Sequence, residues 1–304
     1  MHATTNRGHG NQLAKNAVRN SSETDRTFWV LLISYAAARF FQDFPGRVPM
    51  SVVVALHVFP PAIFAMVHGA KHYGWRGILT FLALILVVGN VFENVGVRTG
   101  FPFGHYYFTD LMGPKLSVVP IMLGLAYVGM AYLSWTLAAV ILGDTQRAQA
   151  GRHVVILPVV AAFIMVAWDF SMDPVWATIL RAWVWMQGGA YFGVPVSNFL
   201  GWYLVVYVIF QSFALYLRRW PRVRTAMPLA YWREPLLFYG VSVAGNLLLA
   251  IPRPGPAVVS DPTGALWRVN DITGTSVLVT IFTMGVFALL AWVRLNEDKS
   301  EATF

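Results

Sequence analysis

Three carboxylates lie inside apolar runs of membrane-spanning length, and two of them are four residues apart. An ionisable side chain in such a run is costly unless it has a partner or a task. The spacing of Asp169 and Asp173 places both on one face of a helix. Two close carboxylates cannot easily both ionise, so one would keep its proton near neutral pH, as a general acid must. With Glu93, these residues predict an acid site. The alternative is that the acids cap helix ends or pair with Arg39, Arg98 or Arg181.

Aromatic and polar residues follow Glu93 closely, in a segment that reads FENVGVRTGFPFGHYYFTD. Aromatic faces such as Phe103 and Tyr106 can stabilise a cation that develops beside them, although aromatics near a membrane surface also form an interfacial belt. His105 could relay protons or bind a substrate, or serve as a structural group. Further along, Asn198 could position a water molecule, or it could hydrogen-bond neighbouring helices.

Several other chemistries lack their residues. The chain has no cysteine, so disulfides and thiolate sites are excluded. It has seven histidines, two of them in the N-terminal tail, and too few remain for a membrane di-iron oxygenase. No predicted span contains a lysine for a Schiff base, and neither nucleotide-binding glycine motif is present. Asp169 and Asp173 could form half of a magnesium–diphosphate site, but no second Asp-rich motif accompanies them.

The elements that position these residues are predicted to be membrane helices. The chain of 304 residues is 57% hydrophobic and only 12% charged, whereas soluble domains carry about 25% charged residues. Runs of about 20 apolar residues can cross a bilayer, and eight are present. They cover 27–44, 49–69, 76–97, 116–142, 153–175, 198–217, 236–252 and 272–293. We therefore predict an all-α, polytopic transmembrane helix bundle.

Basic residues predict the orientation. With the N-terminus inside, 15 of the 22 lysines and arginines fall on cytoplasmic segments, as positive-inside topology requires. Both termini are then cytoplasmic, and the net charge of +8 needs no nucleic-acid partner. We predict a disordered tail over 1–26, one transmembrane domain over 27–295 and a second tail over 296–304. The outer segment 176–197 is too apolar for an ordinary loop and predicts a short interfacial or re-entrant helix.

Two blocks of sequence resemble a known family. The first reads FENVGVRTGFPFGHYYFTDLMGPKLSVVPIMLGLAY, and the second contains WDFSMDPVW followed by WVWMQGGAYFGVPVSNFLGWYL. Over roughly residues 85–215 they resemble the membrane carotenoid-biosynthesis family that includes the bisanhydrobacterioruberin hydratases and bacterial hydratases of acyclic carotenoid ends. The resemblance implies an enzyme of a prokaryotic plasma membrane whose substrate is a long apolar carotenoid within the lipid bilayer.

The implied reaction adds water to the terminal double bond of an acyclic (ψ-end) carotenoid and gives a tertiary alcohol. It needs an acid, a site that tolerates a tertiary cation, and a delivered water molecule. We expect neither cofactor nor metal. Asp169 or Glu93 is the expected proton donor, and Asp173 shares the proton or orients water. The expected substrate-binding residues are Arg98, Phe103, His105, Tyr106, Trp168, Tyr191, Phe192 and Asn198.

Three other functions remain open. A carotenoid end-group cyclase would use the same acids but capture the cation with an internal alkene. A carotenoid-binding or transport protein would leave the pigment unaltered. A prenyltransferase would require Mg²⁺ and a diphosphate donor.

Overall fold

The computed structural model describes residues 26–42, 47–143, 151–221, 227–252 and 254–301, and within them the chain is mainly helical. The helices are α1 (26–41), α2 (Met50–Thr99), α3 (Ile121–Ile141), α4 (His153–Pro174), α5 (Val196–Arg219), α6 (Leu229–Leu247), α7 (Val269–Thr280) and α8 (Val286–Glu301). Two π-helical turns, Val175–Ile179 and Ile281–Gly285, extend α4 and join α7 to α8. The predicted helical-bundle class is confirmed.

Proline marks the start of four helices. Pro49, Pro120, Pro195 and Pro228 directly precede α2, α3, α5 and α6, with ψ between 133° and 156°. Proline fixes φ and has no backbone N–H, so it can stand where a helix begins without leaving a donor unpaired. These prolines therefore mark where each connection ends and the following helix begins.

Helix α2 reverses its direction at Gly74. This residue has φ 65° and ψ 167°, a conformation outside the helical region that glycine adopts readily. Phe64 and Phe81, on opposite sides of Gly74, both lie within 6.2 Å of the Tyr132 ring centroid on α3. A Cβ on Gly69 would lie 2.5 Å from Ile78. The two halves of α2 thus form a tight helical hairpin that packs against α3.

Helix α3 occupies the centre of the bundle. All residues from 127 to 140 are buried, and α3 contacts α2, α4, α6 and α8. A helix that is apolar on every face is stable only when it is surrounded by protein or lipid. In α3 the neighbouring helices provide that surrounding. Any side chain of α3 that is polar therefore faces another helix.

Five helical segments of the described residues are long and apolar enough to cross a membrane. They are Met50–Thr99, Ile121–Ile141, His153–Ile179, Val196–Arg219 and Val269–Glu297. Met50–Thr99 contains two of the eight predicted spans, and the predicted spans 27–44 and 236–252 overlap α1 and α6. Eight crossings and cytoplasmic termini remain predictions.

The connections between helices form small strand pairs. Strand β1 (Tyr106–Phe108) pairs antiparallel with β4 (Trp183–Trp185), β2 (Lys115–Leu116) pairs with β3 (Val119–Pro120), and β5 (Val258–Ser260) pairs with β6 (Leu266–Arg268). The helix predicted within 176–197 is wrong. Its first residues continue α4 as a π-helical turn, and the rest contains β4 and turns. This segment is apolar because its tryptophans pack into the protein.

The predicted tails lie partly outside the described residues. Almost all of the tail predicted over 1–26 lies outside them, as do residues 222–226 after α5. Of the tail predicted over 296–304, the described part continues α8 to Glu301. The division into one domain and two tails remains a prediction.

Candidate active site

The three acids predicted from the sequence line one cavity. Glu93 lies near the end of α2, and Asp169 and Asp173 lie near the end of α4, all buried. The helices bring these ends together under the β1–β4 pair. We call this space the acid cavity. It is lined by Glu93, Phe103, Tyr106, Phe108, Leu123, Tyr127, Asp169, Met172, Asp173, Trp183, Trp185, Asn198 and Trp202.

Glu93 is held by two tyrosine hydroxyls. Tyr127 on α3 donates to Oε1 at 2.8 Å, and Tyr106 on β1 donates to Oε2. Burial, followed by the charge and hydrogen bond of Glu93, raises the pKa of Tyr106 well above its usual value. The Tyr106 hydroxyl therefore keeps its proton and remains a donor. Two donors on one carboxyl group favour its ionised form.

Asp173 also accepts two hydrogen bonds. The indole nitrogen of Trp183 donates to Oδ1 at 2.7 Å, and the amide nitrogen of Asn198 donates to Oδ2 at 2.6 Å. Trp183 belongs to β4 and Asn198 to the first turn of α5. Both oxygens of Asp173 thus have a fixed donor, which again favours the carboxylate.

Asp169 differs from the other two acids. Among the described residues it accepts one long hydrogen bond, 3.3 Å from the Asn198 amide to Oδ2. Its exposed fraction is 7%, compared with 2% for Glu93 and 1% for Asp173. It also lines a second small cavity, together with Tyr127, Met165, Val166, Trp168 and Trp202. Asp169 is therefore the acid with the fewest donors and the best access.

Aromatic rings enclose the acids. Tyr106 lies 4.7 Å from Trp185 across the strand pair, and Tyr127 lies 4.5 Å from Trp202 on α5 between ring centroids. Ring faces carry negative electrostatic potential and attract a cation. The cavity walls thus suit a positively charged intermediate better than an anionic one.

Strand register aims the aromatics at the acids. Tyr106 stands opposite Trp185 and Phe108 opposite Trp183. Alternate residues of a strand point to the same face, and these four are buried while Tyr107 between them is exposed. The pairing thereby brings the two connecting segments together as one wall above Glu93, Asp169 and Asp173.

Gly96 allows that wall to approach α2. A Cβ on this residue would lie 2.6 Å from Phe103 Cδ2 and 3.0 Å from the Tyr106 hydroxyl. Gly96 follows Glu93 by three residues, so both face the same side of α2. The glycine therefore makes room for the tyrosine that binds the acid.

The acid cavity is small. Its volume is about 20 Å³, and a buried water molecule needs about 10–15 Å³ by this measure. The space accommodates one water molecule among the acids. A larger molecule can enter only if a lining side chain moves.

The structure places four of the predicted substrate-binding residues at the acids. Phe103, Tyr106 and Asn198 line the acid cavity, and Trp168 lines the small cavity beside Asp169.

The other four lie outside the lining of both cavities. Arg98 donates to Ser117 on the surface, the His105 ring lies over Gly100, Tyr191 stacks on Phe170, and the Phe192 ring lies beside Trp267. A substrate-binding role for them remains a prediction.

Sequence reasoning missed five aromatic residues of the site. The acid cavity is also lined by Phe108, Tyr127, Trp183, Trp185 and Trp202. Two of them carried a usable signal. Trp202 follows Asn198 by four residues and so shares its helix face, and Tyr127 is a polar residue within a buried membrane-length helix. The contacts of Trp183 and Trp185 depend on strand pairing between distant segments, which no local pattern indicates.

Comparison with known proteins agrees with the resemblance read from the two blocks. A model of the carotenoid biosynthesis protein family matches residues 50–259. The bisanhydrobacterioruberin hydratase of Haloarcula japonica is 32% identical over 130 residues, which are 42% of each chain. The match therefore spans less than half of that relative. No solved structure matches the chain. The family match covers more than two thirds of the sequence and includes every residue of the acid cavity. The chain therefore belongs to the carotenoid biosynthesis protein family.

Proposed function

We propose that the protein is a carotenoid hydratase. It adds water across the terminal double bond of an acyclic (ψ-end) carotenoid and produces a tertiary alcohol, in a prokaryotic plasma membrane. Membership of a carotenoid biosynthesis family and the partial match to a protein named as a hydratase support this class of reaction. The unequal hydrogen bonding of the three acids is the observation that carries the mechanism.

Asp169 is the proton donor in this mechanism. Glu93 and Asp173 each accept two hydrogen bonds from fixed donors, whereas Asp169 accepts one long one. A carboxyl group with few donors gains least from ionising, so the proton shared by these acids resides on Asp169. A positioned acid of this kind typically accelerates proton transfer by about 100- to 10,000-fold.

The first step forms the cation. The Asp169 O–H bond breaks, the alkene π electrons form a new C–H bond at the less substituted carbon, and the other carbon becomes a tertiary cation. The carboxylates of Asp169 and Glu93 and the faces of Trp185 and Trp202 offer negative potential to this charge.

The second step adds water. A water molecule beside Asp173 forms the C–O bond with the cation, and its proton passes to the Asp173 carboxylate. The same Asn198 amide donates to both aspartates and so keeps their carboxyl groups close together. The proton then passes from Asp173 to Asp169, and Asp169 is restored. The overall change is one alkene and one water to one alcohol, with no oxidant or reductant.

Expression in a lycopene-producing bacterial host tests this function. Hydration predicts pigments heavier than the substrate by one water for each modified end, identified by chromatography and mass spectrometry. A cyclised pigment of unchanged mass would instead assign the site to a cyclase. Unaltered pigment bound to the protein would assign it to a binding or transport protein, and product that forms only with Mg²⁺ and a diphosphate donor to a prenyltransferase.

A further inference from the structure

A third, much larger cavity lies next to the acid cavity. Its volume is about 430 Å³, within the range typical of small-molecule pockets. The end of α1, the π-helical turn after α4, the end of α6 and the start of α7 surround it. We call it the large cavity and identify it by Arg39, Met172, Trp176, Asn246, Ile251 and Gly274, which line it.

The large cavity has an apolar, exposed rim. Ala250, Ile251, Pro252, Pro254 and Pro256 line it, and all five are exposed. Exposed apolar side chains beside membrane-length helices favour contact with lipid rather than water. The ligand that this rim admits is therefore an apolar molecule arriving from the bilayer.

The inner end of the cavity is buried and polar. Arg39 and Asn246 are 3% and 2% exposed and are hydrogen-bonded to each other. The Arg39 guanidinium is positive, and a positive charge opposes formation of a carbocation nearby. The large cavity therefore suits a neutral chain, and a cation is better placed where the carboxylates lie.

Met172 separates the two cavities. It is the residue that lines both the acid cavity and the large cavity, and it precedes Asp173 on α4. Methionine is unbranched and adapts its shape readily. The π-helical turn that follows, Val175–Ile179, contributes Val175, Trp176 and Ile179 to the wall, and such turns are frequent at functional sites.

We propose that the large cavity binds the terminal segment of a linear, uncharged isoprenoid chain, and that Met172 is the partition past which its last double bond reaches Asp169. The inference rests on the proposed function for the reaction and adds the binding site. It also explains how an acid cavity with room for one water molecule serves a bulky substrate: the Met172 side chain moves aside when the chain end enters.

Gly274→Trp tests the binding site. Gly274 lines the cavity, and a Cβ on it meets nothing within 4 Å, so a side chain can be introduced there without a clash at its first atom. Gly240→Trp is the matched control, because Gly240 also lies in a helix with nothing within 4 Å and is not part of the cavity lining. Purified protein in lipid nanodiscs is titrated with lycopene, and bound pigment is followed by induced circular dichroism in the visible range.

We expect Gly274→Trp to weaken pigment binding by about tenfold or more, since a pocket of this kind buries most of its ligand, and Gly274→Leu to weaken it less. Gly240→Trp should bind as the wild type does. Wild-type pigment binding by both Gly274 variants would overturn the proposed binding site.

A second variant tests the partition. Met172→Phe should retain pigment binding but lose hydration, because the rigid ring blocks passage to the acids. Wild-type hydration by Met172→Phe would overturn the role of Met172.

The two proposals can fail separately. If Gly274→Trp weakens pigment binding but the wild type does not hydrate the pigment, the result supports the binding cavity and contradicts the hydratase. If the wild type hydrates the pigment and both Gly274 variants bind it as the wild type does, the result supports the hydratase and contradicts the binding cavity.

Discussion

The indole nitrogen of Trp183 donates to the carboxyl group of Asp173 at 2.7 Å. Trp183 belongs to strand β4, which is held by pairing with Tyr106–Phe108 on β1. The two segments that contain β1 and β4 thus act together. One supplies Tyr106 to Glu93, the other supplies Trp183 to Asp173, and their pairing fixes both donors over the helix ends.

Trp183→Phe should slow hydration while leaving the wall in place. The ring remains, but Asp173 loses one of its two donors. A hydrogen bond to a charged acceptor contributes about 1.5–3 kcal/mol, so we expect a loss in kcat of about 10- to 100-fold. Initial rates on reconstituted protein measure it. Trp135→Phe, which removes a buried indole hydrogen bond to Tyr73 outside the acid cavity, is the control. A wild-type rate for Trp183→Phe would show that the bond to Asp173 has no part in catalysis.

Tyr127→Phe should reduce hydration more than Tyr203→Phe. Tyr127 donates to Glu93 at 2.8 Å, whereas Tyr203 on α5 lies beside Phe163, away from the acids. Without the hydroxyl, Glu93 retains one donor, and its ionised form is favoured less. It therefore stabilises the cation less effectively. We expect a loss of about tenfold or more in kcat, from the cost of removing a partner of a buried charged group. Equal rates for the two variants would contradict the role given to Glu93.

Gly96→Ala should disturb the site without changing any polar residue. The new methyl would lie 2.6 Å from Phe103 and 3.0 Å from the Tyr106 hydroxyl, so the β1 wall must shift. Overpacking of this kind costs about 1–3 kcal/mol. We expect a lower thermal-unfolding midpoint and slower hydration. Gly240→Ala, at an open helical position, should raise the midpoint slightly or leave it unchanged; the same behaviour in Gly96→Ala would mean that the wall is not packed against α2.

The sequence indicated that the three acids lie together because their signal is local, and their catalytic role remains a prediction. A spacing of four between Asp169 and Asp173 fixes their relative position on any helix, and Glu93 is conspicuous as a charge in an apolar run. Tyr106 and Asn198 were predicted for the same reason. Trp183 and Trp185 were missed because their position depends on a strand pair that joins residues more than 70 apart in the chain. The apolar character of 176–197 was correctly noticed, but burial within the protein explains it rather than a re-entrant helix.

Asp261 should make the β5–β6 hairpin sensitive to acid. This residue lies between β5 and β6, and a Cβ on Gly193 would lie 3.2 Å from the Asp261 Cβ. Burial acts to raise the pKa of Asp261, but hydrogen bonds from the Thr263 side chain, the Trp267 indole and two backbone N–H groups outweigh it and hold the pKa below its usual value. A carboxyl group with a lowered pKa stabilises the fold above its unfolded pKa of about 3.9, and this contribution is lost as the pH falls through the folded pKa.

Asp261→Asn should therefore lower the stability of the β5–β6 hairpin near neutral pH and flatten its dependence on pH below about 4. Limited proteolysis between about pH 3 and pH 7 with an acid-tolerant protease measures this, with Asp271→Asn, at an exposed position, as the control. A pH profile of Asp261→Asn that superimposes on the wild-type profile would show that Asp261 does not stabilise the hairpin.

Reaction in water labelled with a heavy oxygen isotope tests the central claim most directly. Reconstituted wild-type protein and Asp169→Asn are each incubated with lycopene in labelled water, and the pigments are analysed by mass spectrometry. Acid-catalysed hydration by Asp169 predicts one labelled oxygen for each hydrated end in the wild-type product, and a rate lower by about 100-fold or more in Asp169→Asn. A product without labelled oxygen, or a wild-type rate in a folded Asp169→Asn protein, would contradict it.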